Sequence, residues 1–424
     1  MSETARPSPS AVTARLAARG LAVLTLINLF NYLDRFVVAS LVESLRTSDL
    51  HLTDTQSGAL MTGFIVVYMV ASPFFGVLGD KGSRPRLLAL GVFVWSLATA
   101  AAGLARSFTS LFAARAAVGI GEAAYGTIAP SLLADYFSKE KRGRIYAIFF
   151  CAIPIGSALG YIVGGYADTH LGWRSAFFVA GLPGLLLAFL ALTLPDPPRG
   201  ASEAEEPREA GEGLPRAAAP EAGWSSYLAL ARNRPFRIAV LGYAAYTFGI
   251  GGMAFWMPAF LERVRGVPKE VATVQFGLVV VVTGFVGTFA GGFVGDALLK
   301  RTKEAYLWVS GVATLIAVPF AFVALTVPDP RVYLPALVVA QLFVFASTGP
   351  INSAIVNDVL PWQRAAAVAA CNFTIHVLGD VPSPPLLGAL SDASSLQGAV
   401  LLVPVAFLVG GAIWTWGALS GRRA

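Results

Sequence analysis

Four ionisable residues stand inside runs that are otherwise oily. Asp34 and Arg35 are neighbours in NYLDRF, and Arg115 and Glu122 lie seven apart in RAAVGIGEA. A carboxylate beside a guanidinium in a low-dielectric setting can exchange a proton or hold an anion, because either event changes which groups remain paired. Residues seven apart on a helix share a face two turns apart, whereas neighbours diverge by about 100°. Asp34 and Arg35 therefore cannot point along one line. An unpaired charge at the centre of a bilayer costs roughly 2.5–3.5 kcal/mol even on the lenient insertion scale, so these groups must face a cavity or one another.

The elements that hold them are membrane spans. Hydrophobic residues make up 56% of the 424 residues and charged residues only 13%, about half the charge of an ordinary soluble chain. Twelve apolar stretches are each long enough to cross a hydrocarbon core: 20–45, 56–79, 87–105, 109–135, 145–168, 175–194, 237–261, 272–296, 305–327, 332–357, 365–390 and 397–418. Long apolar runs predict helices, not a barrel of short alternating strands. The start of the chain is polar with no small-residue cleavage site, so the first span is expected to stay in the mature protein.

Lys and Arg in the connections set the orientation. With the N-terminus inside, the inner face collects 22 basic residues and the outer face 7. Both termini are then cytoplasmic, as in a bacterial-type inner membrane. The net charge of +6 is the positive-inside bias with some attraction to anionic lipid, and needs no nucleic acid. Cys151 and Cys371 sit in separate spans, too few for a disulfide framework or a metal cluster. No cofactor or metal is expected.

A Pro-, Ala-, Glu- and Gly-rich stretch divides the spans six plus six. The expected organisation is a tail, 1–19; a six-helix half, 20–194; a cytoplasmic linker, 195–236; a second half, 237–418; and a short tail, 419–424. The halves are related: GVLGD from Gly76 ends the second span and GFVGD from Gly292 ends the eighth, 216 residues on, each followed by basic residues. Duplicated halves of this kind are a transporter architecture. The glycines allow close helix approach. Asp80 can cap a neighbouring helix or pair with Arg84 or Arg86, and Asp296 with Lys300 or Arg301, in contacts able to form in one conformation and break in another.

With twelve spans, a long central loop, the repeated loop motif and RAAVGIGEA in the fourth span, the sequence resembles the major facilitator superfamily. Here D-R-x-G-R is replaced by Asp80-Lys81-Gly82-Ser83-Arg84, and GSALGYIVGG in the fifth span lacks the proline of many antiporters. NYLDRF, GEAAYGTIAPSLLADYF and HVLGDVPSPPLLGALSD narrow the resemblance to the Spinster-like subfamily. It implies a monomer of two pseudo-symmetric six-helix halves and an amphipathic, lipid-like substrate such as a lysophospholipid or sphingoid phosphate. It also implies that spans one, four, seven and ten line a central cavity, bringing the two charged pairs together.

Their formal charges sum to zero. A proton on Asp34 or Glu122 would leave the site net positive and free an arginine, Arg35 foremost and Arg115 with it, for an anionic head group; its loss would restore internal pairing. The competing reading is an ion-pair network that only locks two helices. Counted 216 residues on, Asp34 and Arg35 correspond to Ile250 and Gly251, so the second half lacks the charges. Its candidate substrate contacts are Tyr243, Tyr246, Phe255, Trp256 and Asn352, with Phe248, Gln341, Ser347 and Thr348 nearby and Tyr32 on the first span. A cavity charged on one wall and aromatic on the other suits a polar head and an apolar tail.

His376 and Asp380, one turn apart, can form a second proton site, or Asp380 can satisfy backbone freed by Pro382, Pro384 and Pro385. A membrane-embedded lipid enzyme would have to use His376, Asp380 and Ser383, without a nucleophile-elbow motif to support it. The absence of a phosphate-binding loop excludes a primary pump. Proton-coupled alternating access competes with a proton-driven exporter of small amphipathic drugs and with an uncoupled lipid channel or scramblase, whose flux would ignore a proton gradient.

Overall fold

The computed structural model describes residues 13–199, 201, 224–359 and 363–421. The tails 1–12 and 422–424 and the linker core 202–223 lie outside the described residues. Within them the chain is helical, and ten helices are long and apolar enough to cross a membrane by length and composition. Two further rods complete the expected twelve: Phe108–Tyr136, and Arg364–Ile375 continued through a π turn, His376–Asp380, into Ser383–Ala393. These are the fourth and eleventh spans, and hydropathy alone misses them because the first carries Arg115 and Glu122 and the second is interrupted.

Three other spans are broken at one residue. The fifth breaks at Cys151, between Lys139–Phe150 and Ala152–Leu171; the tenth at Ser347, between Pro330–Ala346 and Thr348–Asn357; the twelfth at Leu401, between Leu396–Val400 and Leu402–Gly421. Each break lies three residues before a proline, Pro154, Pro350 or Pro404. A proline has no N–H for the carbonyl four residues earlier and its ring crowds that carbonyl, so the ladder opens there. The first span runs Ala14–Ser40 and is followed by a short helix, Val42–Thr47.

Two compact units form. One lies within Met1–Val37 and Gly63–Gly213, the other within Val38–Thr62 and Leu214–Ala424. The expected boundary at the linker is kept, except that residues 38–62, the end of the first span and the start of the second, belong with the second unit.

In the first unit the third span, Arg84–Ala102, packs along both the fourth and the sixth, Trp173–Leu192. Its contact with the fourth depends on two facing glycines. A Cβ on Gly121 would lie 2.6 Å from the Trp95 amide nitrogen, and one on Gly91 would lie 2.7 Å from the Ala124 Cβ. This close approach seats Glu122, next in sequence, in the interior of the unit.

In the second unit the seventh span, Arg234–Arg263, packs along the twelfth, and the ninth, Ala305–Thr326, along the twelfth and the tenth. Trp414 fastens the first of these contacts by donating its indole N–H to the Ala239 carbonyl at 2.9 Å.

The duplicated motif is legible in both units: Gly79 and Gly295 are buried, and Asp80 and Asp296 are exposed. The expected close approach belongs to these second glycines. A Cβ at Gly79 or Gly295 would come within 3.0 Å of Ile128 or Tyr306, whereas Gly76 has only Thr127 at 3.7 Å and Gly292 has open space.

Candidate functional site

The four central charges of the first unit form two pairs. Arg115 Nη1 donates to Asp34 Oδ1 at 3.0 Å, and the other carboxylate oxygen of Asp34 accepts from the Thr99 hydroxyl. Arg35 Nη2 donates to Glu122 Oε2 at 2.7 Å. The adjacent residues of the first span diverge, and each meets a different turn of the fourth, where their partners stand about 10 Å apart along the axis.

The two pairs differ in access. Arg115 and Asp34 are each 1% exposed. Glu122 is fully enclosed, but the Arg35 side chain is 19% exposed. Its guanidinium lies 4.8 Å from the Tyr32 ring centroid, 4.9 Å from that of Phe64 and 5.6 Å from that of Tyr68. Phe64 also lies 5.7 Å from the Arg115 guanidinium. Aromatic faces favour cations and hold a guanidinium in place without neutralising it. Glu122 Oε1, Arg35 Nε and Arg115 Nε are buried and have no hydrogen-bond partner. A buried polar atom of that kind is costly, so these pairs hold bonding capacity in reserve.

In the second unit the proposed contacts separate into two groups. Tyr243 is half-buried and Asn352 exposed, and the Asn352 amide donates to the Tyr243 hydroxyl at 3.2 Å. Tyr246, Phe255 and Trp256 are buried in helix packing. Tyr246 donates to the Val344 carbonyl at 2.7 Å and stacks near Phe407 and Trp414, while Trp256 donates to the Pro384 carbonyl at 3.0 Å. His376 and Asp380 meet on the π turn, with Nδ1 2.9 Å from Oδ1 and both side chains partly exposed. The Asp380 carboxylate is thus engaged by the imidazole. Ser383 is buried and its hydroxyl has no partner, so no serine–histidine relay is assembled.

At the end of the first unit that carries the loop motif, the spacing allows Asp80 to pair with Arg84. The structure gives Arg84 other partners. It begins the third span on its buried side, 2% exposed, and bonds Asp135 and Asp196, with Nε 2.9 Å from Asp196 Oδ1 and Nη2 2.6 Å from the Pro197 carbonyl. Asp80 and Arg86 are exposed and make no ion pair among the described residues. In the second unit Asp296 accepts from the Tyr306 hydroxyl at 2.9 Å, and Lys300 and Arg301 are exposed and unpaired among the described residues.

A further cluster in the second unit has no signature in the sequence. Arg263, at the end of the seventh span, donates through Nε to Glu43 at 2.7 Å and through Nη2 to Asp54 Oδ1 at 2.9 Å, with Nη1 on the other Asp54 oxygen. Ser391 also donates to Asp54, and Asp392 caps the second span by accepting from the Asp54 and Thr55 amides, each at 2.9 Å. A fork-shaped guanidinium matched to a carboxylate is a strong, directional contact. It fastens residues 38–62 to the second unit. In sequence these acids look like ordinary loop residues, and only the fold brings them within reach of Arg263. Thr99, Phe64 and Tyr68 escape sequence reasoning for the same reason.

Comparisons with known proteins agree with this architecture. The sequence profile of the Major Facilitator Superfamily matches residues 24–384. Protein spinster of Drosophila melanogaster is 35% identical over 408 residues, covering 91% of this chain and 65% of that protein. Protein spinster homolog 3 of Danio rerio is 34% identical over 442 residues, covering 96% of this chain and 85% of that one. A solved structure of a bacterial homolog to the human lysosomal transporter Spinster, inward-facing and unoccupied, superposes with a TM-score of 0.86 at 23% identity, covering 97% of this chain and 98% of that one. Twelve spans in duplicated halves, the charged first and fourth spans and these relatives lead to one assignment: the chain belongs to the major facilitator superfamily and, within it, to the Spinster family, whose members are multi-pass membrane transporters and not enzymes.

Proposed function

We propose that the protein is a proton-coupled secondary transporter that moves an amphipathic, lipid-like substrate with an anionic or zwitterionic head group, a lysophospholipid or a sphingoid phosphate, by alternating access. The observation that carries the reading is the Arg35–Glu122 pair. Its arginine is partly exposed, held against three aromatic rings, and its carboxylate keeps one oxygen without a partner. A proton on Glu122 weakens its hold on Arg35 and releases the guanidinium to a phosphate; loss of the proton restores the pair and ejects the anion. Asp34 is the second proton site in this scheme, acting on Arg115 in the same way from a sealed position. Tyr32, Tyr243 and Asn352 face the substrate, and the His376–Asp380 pair is a further titratable element on its path.

The bias of basic residues supports a plasma-membrane protein with both ends cytoplasmic. In that orientation the Arg84 cluster and the Gly76, Asp80, Gly292, Asp296 and Lys300 connections lie at the inner gate. The Arg263 cluster lies at the outer one, where it holds the ends of the first two spans.

The test is flux of a labelled lysophospholipid or sphingoid phosphate into proteoliposomes, with and without an imposed pH gradient, for the wild type and Glu122→Gln. Gradient-driven flux in the wild type that falls to the level of empty vesicles in the variant is the expected result. Saturable flux indifferent to both pH and the substitution would remove proton coupling, and absence of lipid flux would direct the search to small amphipathic drugs or sugars.

A further inference from the structure

The beginning of the seventh span carries a feature for which lipid transport has no use. Arg234, Arg237, Ile238 and Leu241 stand at i, i+3, i+4 and i+7, and so share one face of the helix, on the side away from Tyr243. Across from them the twelfth span contributes Ile413 and Trp416, and the six residues line a cavity of about 290 Å³. The Arg234 guanidinium lies 5.4 Å from the Trp416 ring centroid. Leu241 is 49% exposed and Trp416 55%, as expected of side chains that meet lipid rather than protein.

The charge pattern of this groove is one-sided. Both arginines are exposed, the lining includes no acid, and neither arginine makes an ion pair among the described residues. Arg35, Arg84, Arg115 and Arg263 all have carboxylate partners. Two free guanidiniums stand where the polypeptide enters the span, with an apolar trough continuing from them. That is the chemistry of a phosphate head joined to an acyl chain: the fork of an arginine matches phosphate oxygens, and the aromatic ring holds one fork in place before the anion arrives.

We propose that this groove between the seventh and twelfth spans binds an anionic phospholipid of the leaflet on the basic side, with its phosphate between Arg234 and Arg237 and an acyl chain along Ile238, Leu241, Ile413 and Trp416. Basic pockets between spans on that side recognise anionic head groups by the same physics. The site faces the bilayer and is separate from the Arg35–Glu122 centre, so its occupant is a resident lipid and not the transported molecule. The inference does not rest on proton coupling or on the identity of the cargo.

The experiment reads lipid identity beside Trp416. The full-length protein is reconstituted in phosphatidylcholine bilayers containing a minor fraction of acyl-brominated lipid, either phosphatidylglycerol or phosphatidylcholine. Trp416 is one of 8 tryptophans, so its quenching is taken as the difference between the wild type and Trp416→Phe. An enrichment of phosphatidylglycerol by roughly tenfold over phosphatidylcholine is expected for two arginines at a charged interface. The preference should vanish in the Arg234→Gln, Arg237→Gln double variant with its elution volume and helix content unchanged. Should that variant fail to fold, a salt titration of the wild type decides, because exposed ionic contacts are screened: the preference must fall as salt rises. Equal quenching by the two lipids, or a preference untouched by both salt and substitution, would overturn the proposal. Loss of the preference on adding soluble glycerol phosphate would show a site for the head group alone, and would overturn the lipid assignment.

Discussion

The same place in the two units is used in opposite ways. In the first, the middle of the leading span bears Asp34 and Arg35, whose side chains reach the fourth span. In the second, 216 residues on, stand Ile250 and Gly251. Gly251 makes helix contact instead of charge contact: a Cβ there would lie 2.8 Å from the Asp380 Cβ and 3.0 Å from its Cα. The ionisable groups of that unit have moved to the approaching eleventh span, as His376 and Asp380. One ancestral position can thus carry either a buried charge, which requires a charged partner, or a bare backbone, which allows a neighbouring helix to bring its own polar groups. One unit accordingly offers fixed charge and the other hydrogen-bonding groups, the asymmetry that suits a head-and-tail substrate.

This contrast can be broken at its most sealed point. Arg115→Ala leaves Asp34 buried with only Thr99, and removal of one member of a buried pair costs ~3–5 kcal/mol. Thermal unfolding in detergent should show a large loss, and the joint neutral replacement Asp34→Asn with Arg115→Gln should recover most of it, because no charge is then left alone. An Arg115→Ala protein that melts like the wild type would mean that the pair braces nothing.

The corresponding point of the second unit is sensitive to volume and not to charge. Gly251→Ala forces a methyl against Asp380 and the Ser383 hydroxyl, and overpacking of this kind costs ~1–3 kcal/mol. The same thermal measurement checks it. An unchanged melting temperature would show that the seventh and eleventh spans do not meet so closely.

The smallest effect is expected at the open pair. Arg35→Lys keeps the charge but loses the planar fork that lies against Tyr32, Phe64 and Tyr68. The cation–aromatic share is ~0.5–2 kcal/mol, so the half-saturating substrate concentration should rise several-fold while the maximal rate changes less. A variant indistinguishable from the wild type would remove Arg35 from head-group recognition.

Much of this was legible in the sequence because apolar length and cost of charge are local properties. The twelve spans, the duplicated halves and the importance of Asp34, Arg35, Arg115 and Glu122 follow from them. Which acid pairs with which arginine does not, since it depends on how far the first span is rotated against the fourth. Tyr246, Phe255 and Trp256 show the same limit. An aromatic residue at helical spacing satisfies a cavity wall and a helix seam equally well, and the structure puts all three in seams. Arg84 was legible as a basic residue of the loop motif, but its partners Asp135 and Asp196 lie 51 and 112 residues away. The Arg263 cluster was invisible because Glu43 and Asp54 come from the other half of the sequence.

The central claim is that a proton on Glu122 and an anion on Arg35 favour each other. Linkage makes that a statement about affinity: if the bound state holds one more proton, substrate affinity must rise as pH falls. The direct measurement is equilibrium binding of a lysophospholipid to the purified protein across a pH series, for the wild type and Glu122→Gln. The account predicts tighter binding at lower pH in the wild type and binding of little pH dependence in the variant. Binding by the wild type that is flat with pH, or a slope that survives the loss of the Glu122 carboxylate, would contradict it.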